Sequence, residues 1–294
     1  MELSTLIHIV YLLSAVTFIL GFKLMGHPES AKSGLLISGV GMVAAVIVTL
    51  MDVHIERYEY VLIGIVVGAA IGLRMGKKTP ESKMPQMVGL LNGFGGLASF
   101  LVAWAEFHAH PEGQGVTGGL VLWLAAVFGS LTFSGSVVAW ARMEEKFFSS
   151  KAITYSGQQL VSSAILLGIL VSGLLFAADT VAPEAYRCFA VFAVLALLLG
   201  IALVVHISLA EMPVMVCLLN SYSGIAVCAT GFLLQNPLLI VAGALVASSG
   251  ISLTLNMCKD LGRRASYFFL GAFVVHPHTT ISPQNNPAPG NKTS

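Results

Sequence analysis

This sequence has little charge. Only 10% of its 294 residues are Asp, Glu, Lys or Arg, against 56% hydrophobic ones, so one water-soluble core cannot hide its apolar surface. The chain is composed for a membrane. Its formal net charge of +1 leaves no basic face to offset phosphates, which excludes nucleic acid as a partner. Cysteine is scarce as well. Cys188, Cys217, Cys228 and Cys258 show no CxxC spacing and lie in or beside apolar runs, so they read as buried thiols rather than disulfides or metal ligands. Helical rise alone separates Cys217 from Cys228 by roughly 16 Å. The start, Met1-Glu-Leu-Ser, lacks a basic n-region, and the run from Thr5 to Phe22 is long enough to span, so the first helix is expected to be retained.

A glycine-rich phosphate loop is missing too. Gly39-Val-Gly41-Met-Val-Ala44 and Gly93-Phe-Gly95-Gly-Leu-Ala98 match the dinucleotide fingerprint in letters only. That fingerprint needs a strand, a turn and a helix N-terminus in water, and these glycines sit inside spanning runs.

What is present is a series of nine apolar runs, at residues 5–25, 34–51, 59–75, 86–107, 118–141, 159–178, 186–207, 211–234 and 237–258. Each has the length of a bilayer span, which predicts an all-α, polytopic bundle of about nine transmembrane helices. With the N-terminus outside, the inner segments hold Lys23, Lys32, Arg74, Lys77, Lys78, Lys83, Arg142, Lys146, Lys151, Lys259, Arg263 and Arg264. The outer ones hold only Arg57 and Arg187, so the positive-inside rule predicts a cytoplasmic C-terminus. The outer loop from Glu106 to Thr117 carries Glu106, His108, His110 and Glu112, a solvated polar cluster or a metal site. After Cys258 the sequence turns polar except for the ten-residue run Ser266–Val275, too short to span. From His276 it reads as disordered, and its Asn291-Lys-Thr sequon would face the cytoplasm.

Two segments are near copies: Met84-Pro-Gln-Met-Val-Gly-Leu-Leu-Asn92-Gly-Phe-Gly-Gly96 and Met212-Pro-Val-Met-Val-Cys-Leu-Leu-Asn220-Ser-Tyr-Ser-Gly224. Aligning Asn92 with Asn220 lays spans three to five over spans seven to nine, with Ser134-Gly135 matching Ser249-Gly250. The copies lie four spans apart and share one orientation, which predicts a parallel three-helix repeat about an axis along the membrane normal. Glycine recurs every four residues at Gly64, Gly68, Gly72 and Gly76 of span three, and Gly243, Ala247 and Gly250 make a small-residue stripe on span nine. Such stripes let a neighbouring helix approach backbone to backbone.

An amide in hydrocarbon needs partners, so a paired Asn in one frame is where function is expected. Gly89, Asn92, Gly96 and Ser99 share one face of span four; Cys217, Asn220, Ser223 and Gly224 do so on span eight. Spans five and nine add Ser130, Thr132, Ser134, Ser136, Ser248, Ser249, Ser252 and Asn256. Neither Asn nor Ser titrates near neutrality, so these groups could carry a proton only through a water chain, or else serve as interhelical hydrogen bonds. Titratable groups near the apolar zone are His8, His206 and Glu211, the last in the first turn of span eight where the helix dipole favours its charge. His206 could pair with Glu211 or simply sit at the interface.

Four stretches carry a family resemblance: Glu211-Met-Pro-Val-Met-Val-Cys-Leu-Leu-Asn-Ser-Tyr-Ser-Gly224, Leu238-Leu-Ile-Val-Ala-Gly-Ala-Leu-Val-Ala-Ser-Ser-Gly250, Asn256-Met-Cys-Lys259 and Leu131-Thr-Phe-Ser-Gly-Ser-Val-Val-Ala-Trp140. Over residues 1–262 the chain closely resembles the beta subunit of proton-translocating NAD(P) transhydrogenase. The resemblance implies a membrane domain over 1–262 that couples proton translocation to hydride transfer between NAD(H) and NADP(H) on domains outside the membrane. It implies an alpha-type partner subunit bearing the NAD(H) site, a dimer of the whole complex, and a bacterial cytoplasmic membrane. By matching position, Asn220 corresponds to a proton-pathway asparagine, with Ser221, Ser223, Ser134, Ser136 and Gly250 in the motifs around it. Glu211 stands where relatives usually have Asp. Asn92 stands where some members carry a pathway histidine, so the titrating carrier is expected on a partner helix. The link His206-Ile-Ser-Leu-Ala-Glu211 is shorter than the Gly-Gly-containing link of relatives.

Relatives continue into an NADP(H)-binding domain, whereas residues 263–294 are expected to be a disordered or altered tail in its place. The chain alone is then expected to bind neither nucleotide and to be inactive in hydride transfer. Two other readings stand beside this one: a self-sufficient secondary transporter using the duplicated triplets as halves, and a degenerate subunit that only assembles.

Overall fold

The computed structural model describes residues 3–51, 57–110, 115–144, 157–178 and 184–270. Its long helices are α1 (Leu3–Met25), α2 (Ala31–Leu50), α3 (Tyr58–Lys78), α4 (Met84–Ala109), α5 (Gly115–Met143), α6 (Gln158–Ala178), α7 (Glu184–Val205), α8 (Met212–Leu233) and α9 (Pro237–Asp260). A short α10 (Ala265–Leu270) follows. Among the described residues there is no strand, and α1 to α9 are each long and apolar enough to cross a membrane. No end differs by more than three residues from the apolar runs above, because the polar loops that interrupt hydropathy also end the helices.

Local chemistry places those ends. Pro85 and Pro213 occupy first turns of α4 and α8, where a missing N–H costs nothing, and each helix follows a 3-10 turn, Glu81–Lys83 or Leu209–Glu211. The α8–α9 hairpin is closed by Gln235 at φ 50° and by Asn236, whose Oδ1 accepts from the N–H groups of Leu238 at 3.0 Å and Leu239 at 3.3 Å.

Helices α4 to α9 form the main bundle. One end of it is sealed by Phe107, Phe176, Phe189 and Phe192, with Phe107 and Phe189 stacked at 5.2 Å between ring centroids. Helices α1 and α2 pair through Tyr11, Ala15, Ala45 and Val48 and meet α9 at Leu238. Tyr11 and Thr49 share a hydroxyl hydrogen bond of 2.8 Å there.

The duplication is visible in packing. A Cβ added to Gly96 would lie 2.8 Å from the Gly129 carbonyl oxygen, and one on Gly224 would lie 2.8 Å from that of Gly243. Three residues earlier on the first helix and seven later on the second, Gly93 meets Ser136 and Ser221 meets Gly250. The hairpins α4–α5 and α8–α9 therefore cross at matching points. This register sets Ser136 opposite Gly250, one residue away from the Ser134-Gly135 alignment read in the sequence. The third members differ: α7 packs on α5 and α6, whereas no residue of α3 is buried. A Cβ on Gly64, Gly68, Gly72 or Gly76 would meet nothing within 4 Å, so that stripe has no neighbour among the described residues.

Part of the segment from residue 263 is described. Ala265–Leu270 is helical, and Phe268 is fully buried in the bundle core, since an apolar run too short to span can still seat one face on the helix ends. Residues beyond Leu270, including His276 and the Asn291 sequon, lie outside the described residues, as do Glu112, Lys146 and Lys151.

Candidate functional site

The close crossings of α4 with α5 and of α8 with both let short polar side chains bridge three helices. Asn92 of α4 donates from Nδ2 to Ser136 Oγ of α5 at 3.1 Å, and its Oδ1 accepts from Ser223 Oγ of α8 at 2.7 Å. Ser223 Oγ also stands 2.8 Å from the Asn220 carbonyl oxygen in its own helix. A hydroxyl has one proton, so Ser223 serves one acceptor at a time. Asn220 is half-buried one turn away, and its side chain has no hydrogen bond among the described residues. Asn92 and Asn220 both lie eight residues into their helices, about 12 Å along the axis, well inside a hydrocarbon core roughly 30 Å thick.

The other candidate serines bind helices to each other. Ser134 donates to the Leu197 carbonyl of α7 at 2.8 Å and packs against Gly200. Ser221 is fully buried, donates to the Cys217 carbonyl at 3.1 Å, and fills the space that a side chain on Gly250 would need. Ser134 and Ser221 are each two residues from a member of the Asn92 knot but face α7 and α9 instead.

Glu211 closes the near end of α8. Only 7% exposed, it accepts from Ser208 Oγ at 2.7 Å and Arg263 Nε at 2.8 Å, with Tyr267 Oη at 3.5 Å. The Arg263 guanidinium also lies over the Tyr267 ring, 5.4 Å from its centroid, so one carboxylate ties α8 to α10. Burial pushes the Tyr267 phenol up, and the Glu211 charge adds to the shift.

His206 does not pair with Glu211. Its Nδ1–H donates to the Ala202 carbonyl at 3.1 Å, which leaves Nε2 buried without a partner, and its ring stands edge-on to Tyr267. Burial lowers its pKa most and Arg142 lowers it further, against the opposing effects of the Ala202 carbonyl and Glu211. His108 shares a 2.9 Å hydrogen bond with Tyr186 at the opposite end of the bundle from Glu211, and His110 lies 3.1 Å from Glu106.

Arg142 is the residue whose placement the sequence least foretells. It counts there only as an inner positive charge, yet it is fully buried, and Nη1 donates to the carbonyls of Val204, Val205 and Ile207 at 2.7–2.8 Å. It thereby caps the end of α7 and holds the link to Glu211. Its position in the last turn of span five was the available sign, since a cation there is favoured by helix C-terminal carbonyls. Arg263 and Tyr267 were hidden in a segment read as a tail.

The arrangement has an inner polar knot of Asn92, Ser136 and Ser223 without a titratable group, and a carboxylate at one end about 14 Å from Asn220 along α8. Such a set can order water and pass hydrogen bonds across three helices; it cannot by itself store a proton at neutral pH.

Sequence comparison gives this geometry a family. Residues 7–293 match the model of the NAD(P) transhydrogenase beta subunit. Two curated sequences of NAD(P) transhydrogenase subunit beta, from Rhodospirillum rubrum and from a named strain of that species, are each 35% identical over 271 residues. The match covers 90% of this chain and 57% of each relative, so the chain spans little more than half their length. With nine helices among the described residues able to cross a membrane and this match along nearly its whole length, the chain is a multi-pass membrane protein of the NAD(P) transhydrogenase beta subunit family.

Proposed function

We propose that this chain supplies a proton path through the membrane for an NAD(P) transhydrogenase. The observation that carries the reading is the three-helix knot, in which Asn92 bridges Ser136 and Ser223 while the Asn220 amide beside it has no partner among the described residues. Protons move along water ordered by these groups. Ser223 alternates between the Asn92 oxygen and the Asn220 carbonyl, and Glu211 stands at the cytoplasmic mouth. Ser134, Ser221 and Gly250 hold the walls of the path at their close crossings.

The proton-accepting residue inside the membrane comes from a partner helix of an alpha-type subunit, which also carries the NAD(H) site. Hydride passes between NAD(H) and NADP(H) on domains outside the membrane, and the whole complex is a dimer. The chain lies in a bacterial cytoplasmic membrane with its N-terminus outside, a reading supported by twelve inner cations against two outer ones. Coupling runs through Glu211 and Arg263, because that pair links the mouth of the path to α10 and whatever follows it.

The test is Asn220→Ala in the assembled enzyme reconstituted in liposomes. Proton-coupled hydride transfer should fall at least tenfold, and pumping at the parental rate would sink the assignment.

A further inference from the structure

Away from the knot, the near ends of α3, α4 and α5 enclose a recess of about 330 Å³. Its walls are apolar, with Met75, Met87, Leu90 and Trp140, and its rim is basic, with Arg74, Lys78 and Lys83. Glu144 engages Lys83 at 2.8 Å, which neutralises one of the three cations. Arg74 and Lys78 are four residues apart on α3 and so lie on one side of it, and neither has an acidic partner among the described residues. Thr79, also on the rim, has already given its hydroxyl proton to the Met75 carbonyl at 2.7 Å.

Two uncompensated cations over an apolar wall at the helix ends suit a ligand with an anionic head and an apolar tail. That level of a spanning helix is where a bilayer places its headgroup phosphates, and a tryptophan such as Trp140 belongs there. We propose that the recess binds an anionic phospholipid, with Arg74 and Lys78 on the phosphate oxygens and an acyl chain lying along Met87 and Leu90. A free phosphate would satisfy the same cations but would gain nothing from the apolar wall. The site stands for either orientation of the chain and is independent of the proton path.

Native mass spectrometry of the intact chain, released from mixed micelles with equal amounts of phosphatidylglycerol and phosphatidylcholine of matched acyl length, tests this. Retained phosphatidylglycerol should exceed phosphatidylcholine at least tenfold, and the double variant Arg74→Gln/Lys78→Gln should erase the preference. Lys77→Gln, a neighbouring cation that does not line the recess, should keep it. Equal retention of the two lipids, as expected if a partner helix is the true occupant, overturns the proposal. So does a loss in Lys77→Gln as large as in the double variant, or displacement of the lipid by inorganic phosphate at equal concentration.

Discussion

Ser223 concentrates the residue-scale behaviour of the site, because its single proton faces two acceptors at 2.7 and 2.8 Å. The Glu211 cluster is a different kind of device, a carboxylate fixed by an arginine only 29% exposed. Replacing Glu211 by Gln leaves Arg263 facing a neutral amide and should release α10 by about 1.5–3 kcal/mol. Hydrogen exchange of the amides of residues 265–270 would then speed up at least tenfold, and unchanged protection would show that Phe268 alone anchors the helix.

His206 adds a pH dependence with a definite sign. Its folded pKa lies below the ordinary 6.5, so the unfolded chain takes up the proton first. The histidine's contribution to stability is complete above about 6.5, declines as pH falls through that value, and levels off below the folded one. Thermal unfolding of the detergent-solubilised chain should show a lower midpoint at pH 5 than at pH 7.5, and His206→Gln should remove this part of the difference. A wild-type midpoint that rises on acidification would contradict the burial argument.

At the scale of elements, the glycines divide into two sets that the sequence presents alike. A side chain on Gly224 would run into the backbone of Gly243 and Ala247, so Gly224→Leu should force α8 and α9 apart at a cost of about 3 kcal/mol or more. Gly68→Leu on α3 meets open space, and helix propensity alone should make it neutral or slightly stabilising. Thermal midpoints of the two variants in detergent make the comparison: a large drop for Gly224→Leu and none for Gly68→Leu. A matching drop in both would mean that α3 packs on something within this chain.

Much of the element layout was legible, since apolar runs of spanning length and their polar interruptions depend on local composition. The partner of each helix was not. The α4 and α8 copies could be aligned at Asn92 and Asn220, but the register of α5 against α9 came out one residue off, because serine and glycine alternate there and only the crossing geometry decides between them. Ser134, Ser136, Ser221 and Ser223 look equivalent in a sequence; two residues of helical rotation send Ser136 and Ser223 to Asn92 and turn the other pair onto α7 and α9. Arg142 was invisible as a buried group, since its carbonyl partners lie more than sixty residues away.

For the molecule as a whole, the consequence is a membrane bundle that is polar in its middle yet, among the described residues, carries no Asp, Glu, His, Lys or Arg there. Asn92 and Ser134 separate the two duties of these polar groups: the first joins three helices through its amide, the second fastens α5 to α7. The most direct measurement is therefore the number of protons moved per hydride transferred, followed with a trapped pH dye in liposomes holding the assembled enzyme. Asn92→Leu should reduce that ratio at least tenfold, whereas Ser134→Ala should lower the thermal midpoint and leave the ratio as in the parent. A parental ratio in Asn92→Leu would contradict a proton path through the knot.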